Sequence, residues 1–259
     1  MSIRYNIIAG LGIKDEEWII DKTLSALNKF CSKIIIVDDG STDNTENICK
    51  SYNKVEWHVR KKHDWRVREE AKQRQEIIDY IKPHNPDYVL FLDADEIPSP
   101  NIINFINNID TSINLWKFPW IHLWRDDKHY RIDSYKTDTG VHIMWDPFNG
   151  AQRKYFLMKF DKNINYEYPL EVMAGGCGKN HMAPLNVPLP HSTIENVVII
   201  HYGKISEYFK TGNKDNDYAV MRCFTNKHMN LQERIKHHKL CRSEKTLKLE
   251  RVNNEWFWD

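Results

Sequence analysis

Two apolar runs that stop abruptly at carboxylates constrain this chain most: Lys33–Val37 followed by Asp38-Asp39-Gly40-Ser41, and Tyr88–Leu92 followed by Asp93-Ala94-Asp95-Glu96. Short, nearly unbroken apolar runs predict strands buried on both faces, which is the situation of a parallel sheet covered by helices. In an open α/β sheet the ligand lies outside the carboxyl ends of the strands. Two acidic clusters at two such ends therefore predict a shared nucleotide and metal site.

The neighbouring segments repeat the theme. Asn6–Gly10 reads as a first short strand, and Ile20, Leu24 and Leu27 recur at i, i+4 and i+7, the stripe of a helix lying on a sheet. Thr42 or Asp43 offers a cap for a helix running to about Tyr52. A third strand is expected at Val55–Val59, a helix at Glu69–Ile81, and a turn at Pro83-His84-Asn85-Pro86 before the strand Tyr88–Leu92. Strands alternating with helices imply parallel pairing through crossover connections.

Beyond residue 112 the pattern changes. The stretch 112–200 is rich in Trp, Tyr, Phe and His, with candidate strands at Leu115–Trp124, Val141–Trp145, Tyr155–Phe160 and Val197–Ile200 joined by long loops. Long loops on a rigid sheet usually carry recognition, so acceptor selection is assigned here. From about Glu207 the chain reads as helical and polar, and residues 222–251 hold nine Lys and Arg against three Glu. The expected organisation is a main domain over 1–205, with a nucleotide-binding half (1–98) and an acceptor half (99–205), and a helical basic extension over 206–259.

Composition narrows the function classes. The 37 Lys+Arg and 36 Asp+Glu nearly cancel, so no whole-protein field draws the molecule to nucleic acid or anionic lipid. The five cysteines, Cys31, Cys49, Cys177, Cys223 and Cys241, are odd in number and contain no Cys-x-x-Cys pair, which argues against a disulfide framework or a zinc site. The N-terminus enters a strand directly, and no apolar run is long enough to span a bilayer. A soluble, cytoplasmic protein is expected.

Chemistry concentrates at the acidic ends. Asp93 and Asp95 occupy alternate positions, so in an extended strand end both carboxylates would point the same way. Hard oxygen ligands at that spacing suit Mg²⁺ or Mn²⁺ bridging two phosphates and neutralising a diphosphate leaving group. An Asp-x-Asp alone is common in solvated loops, but the preceding apolar run, Glu96 and the upstream Asp38-Asp39-Gly40-Ser41 favour a site. Asp38 and Asp39 supply acceptors for a base N–H or ribose hydroxyl, and the same tetrapeptide also reads as a turn and helix cap.

On these residues the first hundred positions resemble a family 2 glycosyltransferase of GT-A fold. The resemblance rests on Lys14-Asp15-Glu16-Glu17, on Val37-Asp38-Asp39-Gly40-Ser41-Thr42-Asp43-Asn44-Thr45 and on Leu92-Asp93-Ala94-Asp95-Glu96. More narrowly it is similar to the subgroup that includes lipopolysaccharide-core glucosyltransferases and peptide S-glycosyltransferases. The resemblance implies a Rossmann-like, mostly parallel sheet flanked by helices, and an inverting transfer of a hexose from a nucleotide-sugar, a UDP-hexose by family habit, with Mn²⁺ or Mg²⁺ as cofactor. It places Asp38 and Asp39 at the uridine, Asp93 at ribose or diphosphate, and Asp95 on the metal. Arg74-Gln75 stands where the subgroup has an Arg-Asn pair, so Arg74 becomes a fork donor to the nucleotide; a solvated helix arginine is the plain alternative.

Downstream, Ile199-Ile200-His201-Tyr202-Gly203 resembles the family's His-Tyr-Gly turn, where a neutral imidazole at His201 completes metal coordination or donates to the diphosphate. The catalytic base is expected after a basic-aromatic strand, here Arg153–Phe160, then Tyr166 and Leu170-Glu171. Glu171 is the candidate, with Leu170 where the subgroup has His, and Asp126, Asp127 and Asp146 as rivals. The basic stretch 222–251 reads either as a solvated helix or as a peripheral contact with anionic membrane or nucleic acid. Trp256-Phe257-Trp258 suits docking on the protein body or a membrane interface. The acceptor stays open among a glycan, a lipid-linked sugar, a protein side chain and a modified nucleic-acid base. Two alternatives stand beside this reading: a nucleotidyltransferase, for which Ala9-Gly10-Leu11-Gly12 is a poor phosphate loop, and a non-catalytic nucleotide-sugar-binding module.

Overall fold

The structure, a computed structural model, describes residues 3–60, 70–136, 142–148, 153–164, 191–205 and 244–259. Strands β1 (Ile7–Ile13), β2 (Lys33–Asp38), β3 (Val55–Val59) and β4 (Tyr88–Asp93) pair in parallel in the order β3-β2-β1-β4. Helix α1 (Ile20–Asn28) lies between β1 and β2, α2 (Thr45–Lys50) between β2 and β3, and α3 (Glu70–Ile81) between β3 and β4. After β4 come β5 (Glu96–Pro98), α4 (Ile102–Asn107), β6 (Leu115–His122), β7 (His129–Arg131), β8 (Ser134–Lys136), β9 (His142–Met144), β10 (Arg153–Lys159), β11 (His191–Thr193), β12 (Ile199–His201) and β13 (Leu249–Arg251).

The sheet continues from β4 through antiparallel β10 to β6, then to β12 and β5. Both β11 and β12 pair with β6 in parallel, β11 against Leu115–Lys117 and β12 against Trp120–His122. The mostly parallel α/β sheet expected from the sequence is thus present, with antiparallel strands added in its second half.

Period-two alternation explains why the central strands are apolar throughout. On one face Ile7, Ala9, Leu11 and Ile13 of β1, Ile34 and Ile36 of β2, and Leu90 and Leu92 of β4 pack with Ile20, Leu24 and Leu27 of α1 and with Ile102 and Ile106 of α4. On the other, Ile8, Ile35, Val37, Val89 and Phe91 pack with Ile77, Ile78 and Ile81 of α3. Gly10 and Gly12 sit inside β1 beneath α3, where an added Cβ would lie 2.4 Å from Ile77 and 2.3 Å from Gln73. They are packing glycines of a strand.

The C-terminus departs from expectation. Residues 206–243, with most of the basic stretch, lie outside the described residues. Residues 244–259, expected to be helical, form β13 and a short 3₁₀ turn at Asn254–Trp256. Strand β13 pairs antiparallel with β7 in a small second sheet. The aromatic end docks on the body: Trp258 stacks on Phe30 at 6.2 Å and its indole N–H donates to Pro98 O at 2.7 Å. Cys31 and Cys49 are buried and free. Among the described residues no helix is long and apolar enough to cross a membrane.

Candidate active site

Strand register brings the polar residues to one edge. Ile13 of β1 stands opposite Asp38 and Gly12 opposite Asp93, while His201 of β12 stands between His122 of β6 and Glu96 of β5. Segments far apart in sequence thus end together, as parallel pairing requires.

Asp38 is 3% exposed and is occupied by its own turn. Its carboxylate accepts from the backbone N–H of Gly40 at 3.0 Å and of Ser41 at 2.9 Å, and from the Ser41 hydroxyl. Asp39 is more open, and Arg60 donates to it at 3.1 Å while also pairing with Glu76 at 3.2 Å. The loops after β1 and β2 are laced reciprocally. Thr42 N donates to Asp15 at 2.7 Å and Asn44 N to Glu17 at 2.8 Å, while Glu17 N donates to Asp43 at 3.1 Å and Glu16 N to Thr45 at 2.8 Å. Asp43 also accepts from Thr45 N at 3.0 Å, performing the expected capping of α2.

The Asp-x-Asp carboxylates do not share one direction. The strand ends at Asp93, and Ala94-Asp95 form a turn into β5, so the extended geometry assumed from the sequence is not adopted. Asp93, with its side chain 38% exposed, receives Arg74 at 2.8 Å and Lys154 at 3.1 Å. Arg74 is buried on α3 with its guanidinium 5.0 Å from the Phe91 ring, so it is not the solvated arginine of the plain alternative. Its Nη1 is buried and has no hydrogen-bond acceptor. Lys154 also donates to Glu96 at 2.7 Å, and Glu96 accepts from the Asp93 backbone N–H at 2.8 Å.

Burial pushes the Glu96 carboxyl up to about 7, against the pull of Lys154. Burial acts to lower Lys154, but Asp93 and Glu96 outweigh it and hold the ammonium above its ordinary value. With two carboxylates facing one ammonium, the charge on fully buried Glu96 is the less favourable of the two.

Asp95 turns the other way. Its Oδ2 lies 3.3 Å from His201 Nε2, and His201 Nδ1 lies 3.0 Å from His122 Nδ1. Gly203 closes the pocket: a Cβ there would stand 2.3 Å from Asp95 Oδ2 and 3.0 Å from His201 Nε2. The 3.3 Å gap between one oxygen and one nitrogen is slightly wider than the ~3.0 Å between neighbouring ligands on an octahedral ion with bonds of ~2.1 Å, so a small closure would bring both onto one ion. The residues therefore fit a divalent cation. Among the described residues no group of three His, Cys, Asp or Glu is placed to hold a metal; an Mg²⁺ ion usually keeps several waters in its shell.

Glu171 lies outside the described residues. Of its rivals, Asp126 is engaged by His129 and the backbone N–H of Lys128, and Asp146 accepts from Phe148 N at 2.8 Å. Asp127 acts electrostatically on Lys22 and on Tyr202, the neighbour of His201. The sequence reading missed Lys154, Arg60 and His122 as members of the edge. His122 carried little signal, because the apolar run of its strand continues past it into Leu123 and Trp124.

The model of the family "Glycosyl transferase family 2" matches residues 13–158, a span holding both acidic strand ends, Arg74, His122 and Lys154. An uncharacterized glycosyltransferase of Mycoplasma pneumoniae is 26% identical over 115 residues, 40% of this chain and 35% of that protein. The chain thus matches about a third of that relative's length. Among solved structures, S. aureus TarS aligns over 93% of this chain and 44% of its own, with 14% identity and a TM-score of 0.49. Glucosyl-3-phosphoglycerate synthase from Mycobacterium tuberculosis, in complex with Mn²⁺ and UDP, aligns over 45% of this chain and 44% of its own, with 18% identity and a TM-score of 0.35. With more than half of its residues matched by the family model, the chain belongs to glycosyl transferase family 2.

Proposed function

We propose that this protein transfers a hexose from a nucleotide-sugar, a UDP-hexose, to an acceptor with inversion, using Mn²⁺ or Mg²⁺ held by Asp95 and His201. The observation that carries the reading is the convergence of Asp95, His201 and Gly203 beside Asp93 and its paired Arg74, all at the carboxyl edge of a parallel sheet. The bound cation would neutralise charge on the departing diphosphate. Arg74, with one nitrogen on Asp93 and a buried, unsatisfied Nη1, is assigned as a donor to the nucleotide or its phosphates, and the unmet donor supports that assignment. Asp39 is the nucleoside acceptor, while Asp38 shapes the turn that presents it.

In the transfer the acceptor's hydroxyl or thiol attacks the anomeric carbon as the bond to the diphosphate oxygen breaks, and the electron pair leaves with the diphosphate. Glu171 is assigned to take the acceptor proton, on the subgroup resemblance alone. The nucleotidyltransferase alternative loses its phosphate loop, because Gly10 and Gly12 lie within β1 under α3. A cytoplasmic location and the lipopolysaccharide-core-like subgroup belong to the same proposal.

The test is a thermal-shift series with nucleoside diphosphates, with and without Mn²⁺, followed by transfer assays. UDP with Mn²⁺ should raise the melting temperature of the wild type, since a ligand that binds only the folded state stabilises it, and Asp95→Ala should abolish both the Mn²⁺-dependent shift and transfer. Full activity in Asp95→Ala would refute the metal-dependent reading. Donor binding without turnover of any sugar-nucleotide would favour the non-catalytic binding module.

A further inference from the structure

We propose that His122 is a positioning residue that sets which nitrogen of His201 is free to meet a cation; this rests on the metal reading above. The two rings face each other through Nδ1 atoms 3.0 Å apart. A neutral imidazole has one N–H and one bare nitrogen, so at this distance one Nδ1 carries the hydrogen and the other accepts it. If His201 donates, its Nε2 is bare and presents a lone pair toward the place where Asp95 Oδ2 stands 3.3 Å away. If His122 donates, His201 Nε2 carries the hydrogen and points it at the Asp95 carboxylate. The pair therefore has two tautomeric arrangements, and only the first can ligate a metal.

Backbone and packing hold the rings in that contact. His201 and His122 are register partners on adjacent parallel strands. His122 is 3% exposed, with the Trp120 ring at 4.3 Å and the Trp145 ring, perpendicular to it, at 5.1 Å. Trp120 also contacts the His201 ring at 5.1 Å. A buried ring so enclosed cannot swing away, so His122 offers a fixed acceptor to His201 Nδ1. Cation binding at Nε2 draws the shared hydrogen onto His201 Nδ1. The former Nε2 hydrogen leaves to solvent, His122 takes one at its own Nε2, and the two rings together neither gain nor lose a proton.

The experiment reads tautomers directly, by imidazole nitrogen NMR of histidine-labelled protein with UDP and diamagnetic Mg²⁺. The Mg²⁺ complex should show His201 protonated at Nδ1 and His122 at Nε2. Mn²⁺ titrations then compare two variants. His122→Phe keeps an aromatic ring without an acceptor and should weaken Mn²⁺ binding ~10- to 100-fold, the usual effect of losing an outer-shell partner. His122→Asn places its side-chain oxygen near the position of Nδ1 and should recover most of that loss. His201 protonated at Nε2 in the Mg²⁺ complex, a Phe variant that binds Mn²⁺ as wild type does, or equal losses in Phe and Asn would each overturn the proposal. Mn²⁺ binding that persists in His201→Ala would instead overturn the metal reading on which it rests.

Discussion

Gly203→Ala tests the site by adding a single methyl group. The new Cβ would lie 2.3 Å from Asp95 Oδ2, 2.9 Å from His201 Cε1 and 3.0 Å from His201 Nε2, where ordinary contact begins near 3.4 Å. The Asp95 carboxylate must therefore retreat by about 1 Å, several times the ~0.2 Å tolerance of metal–ligand distances. A misplacement of ~1 Å in a reacting constellation costs ~100-fold in rate, equivalent to ~2.7 kcal/mol of transition-state stabilisation. Overpacking against buried neighbours should lower folding stability by only ~1–3 kcal/mol, so the variant should remain folded. The assay is transfer or hydrolysis of the sugar-nucleotide over a Mn²⁺ titration, with the melting temperature measured in parallel. We expect kcat to fall ~100-fold and the apparent Mn²⁺ requirement to rise. A folded Gly203→Ala protein with kcat and Mn²⁺ dependence within ~3-fold of wild type would refute the geometry, because a 1 Å displacement of a metal ligand cannot be silent.

Two further outcomes are expected. Glu96 is held above its ordinary 4.5 at about 7, so the native state binds its proton more tightly than the unfolded chain does. That stability is fully present below 4.5 and is lost as pH rises through 7, and the shift is worth about 3 kcal/mol in all. Urea unfolding of wild type and Glu96→Gln at several pH values should show the wild-type advantage shrinking by about that amount between about pH 4 and about pH 8; a constant difference would contradict the assignment. Trp258→Ala removes the Phe30 stack and the hydrogen bond to Pro98, and should cost ~2 kcal/mol because the ring is only partly buried. Unchanged stability there would mean that the C-terminal segment docks too weakly to matter.

What was legible in the sequence was whatever a strand or helix records locally. The apolar runs of β2 and β4, the Val55–Val59 strand and the α1 stripe are dictated by residues within one element, so their spacing alone identifies them. The three-residue strands β5, β11 and β13 are too short to show a period and exist because a partner strand is present. Partners were equally invisible. Asp38 and Asp43 are carboxylates in any reading, but only the folded loops show Asp38 holding its own turn and Asp43 divided between Glu17 N and Thr45 N. Lys154 looked like one cation in a basic-aromatic strand. Its burial follows from Glu96 and Asp93, which arrive from a segment about sixty residues earlier.

The separate surroundings of Asp93 and Asp95 bear on which one a cation would choose. Asp93 already faces a guanidinium at 2.8 Å and an ammonium at 3.1 Å, so a divalent ion there would be repelled by two positive charges at close quarters. Asp95 instead faces an imidazole 3.3 Å away whose Nε2 can present a lone pair. On the proposed reading a cation would bind at Asp95 rather than at Asp93, while the Arg74–Lys154 side would stay electropositive toward an anion. A nucleoside diphosphate lying along the edge would meet the metal at one end of its phosphates and Arg74 near the other. On that reading the two diverging carboxylates divide the work: the first fixes side-chain cations and the second would take up a mobile one.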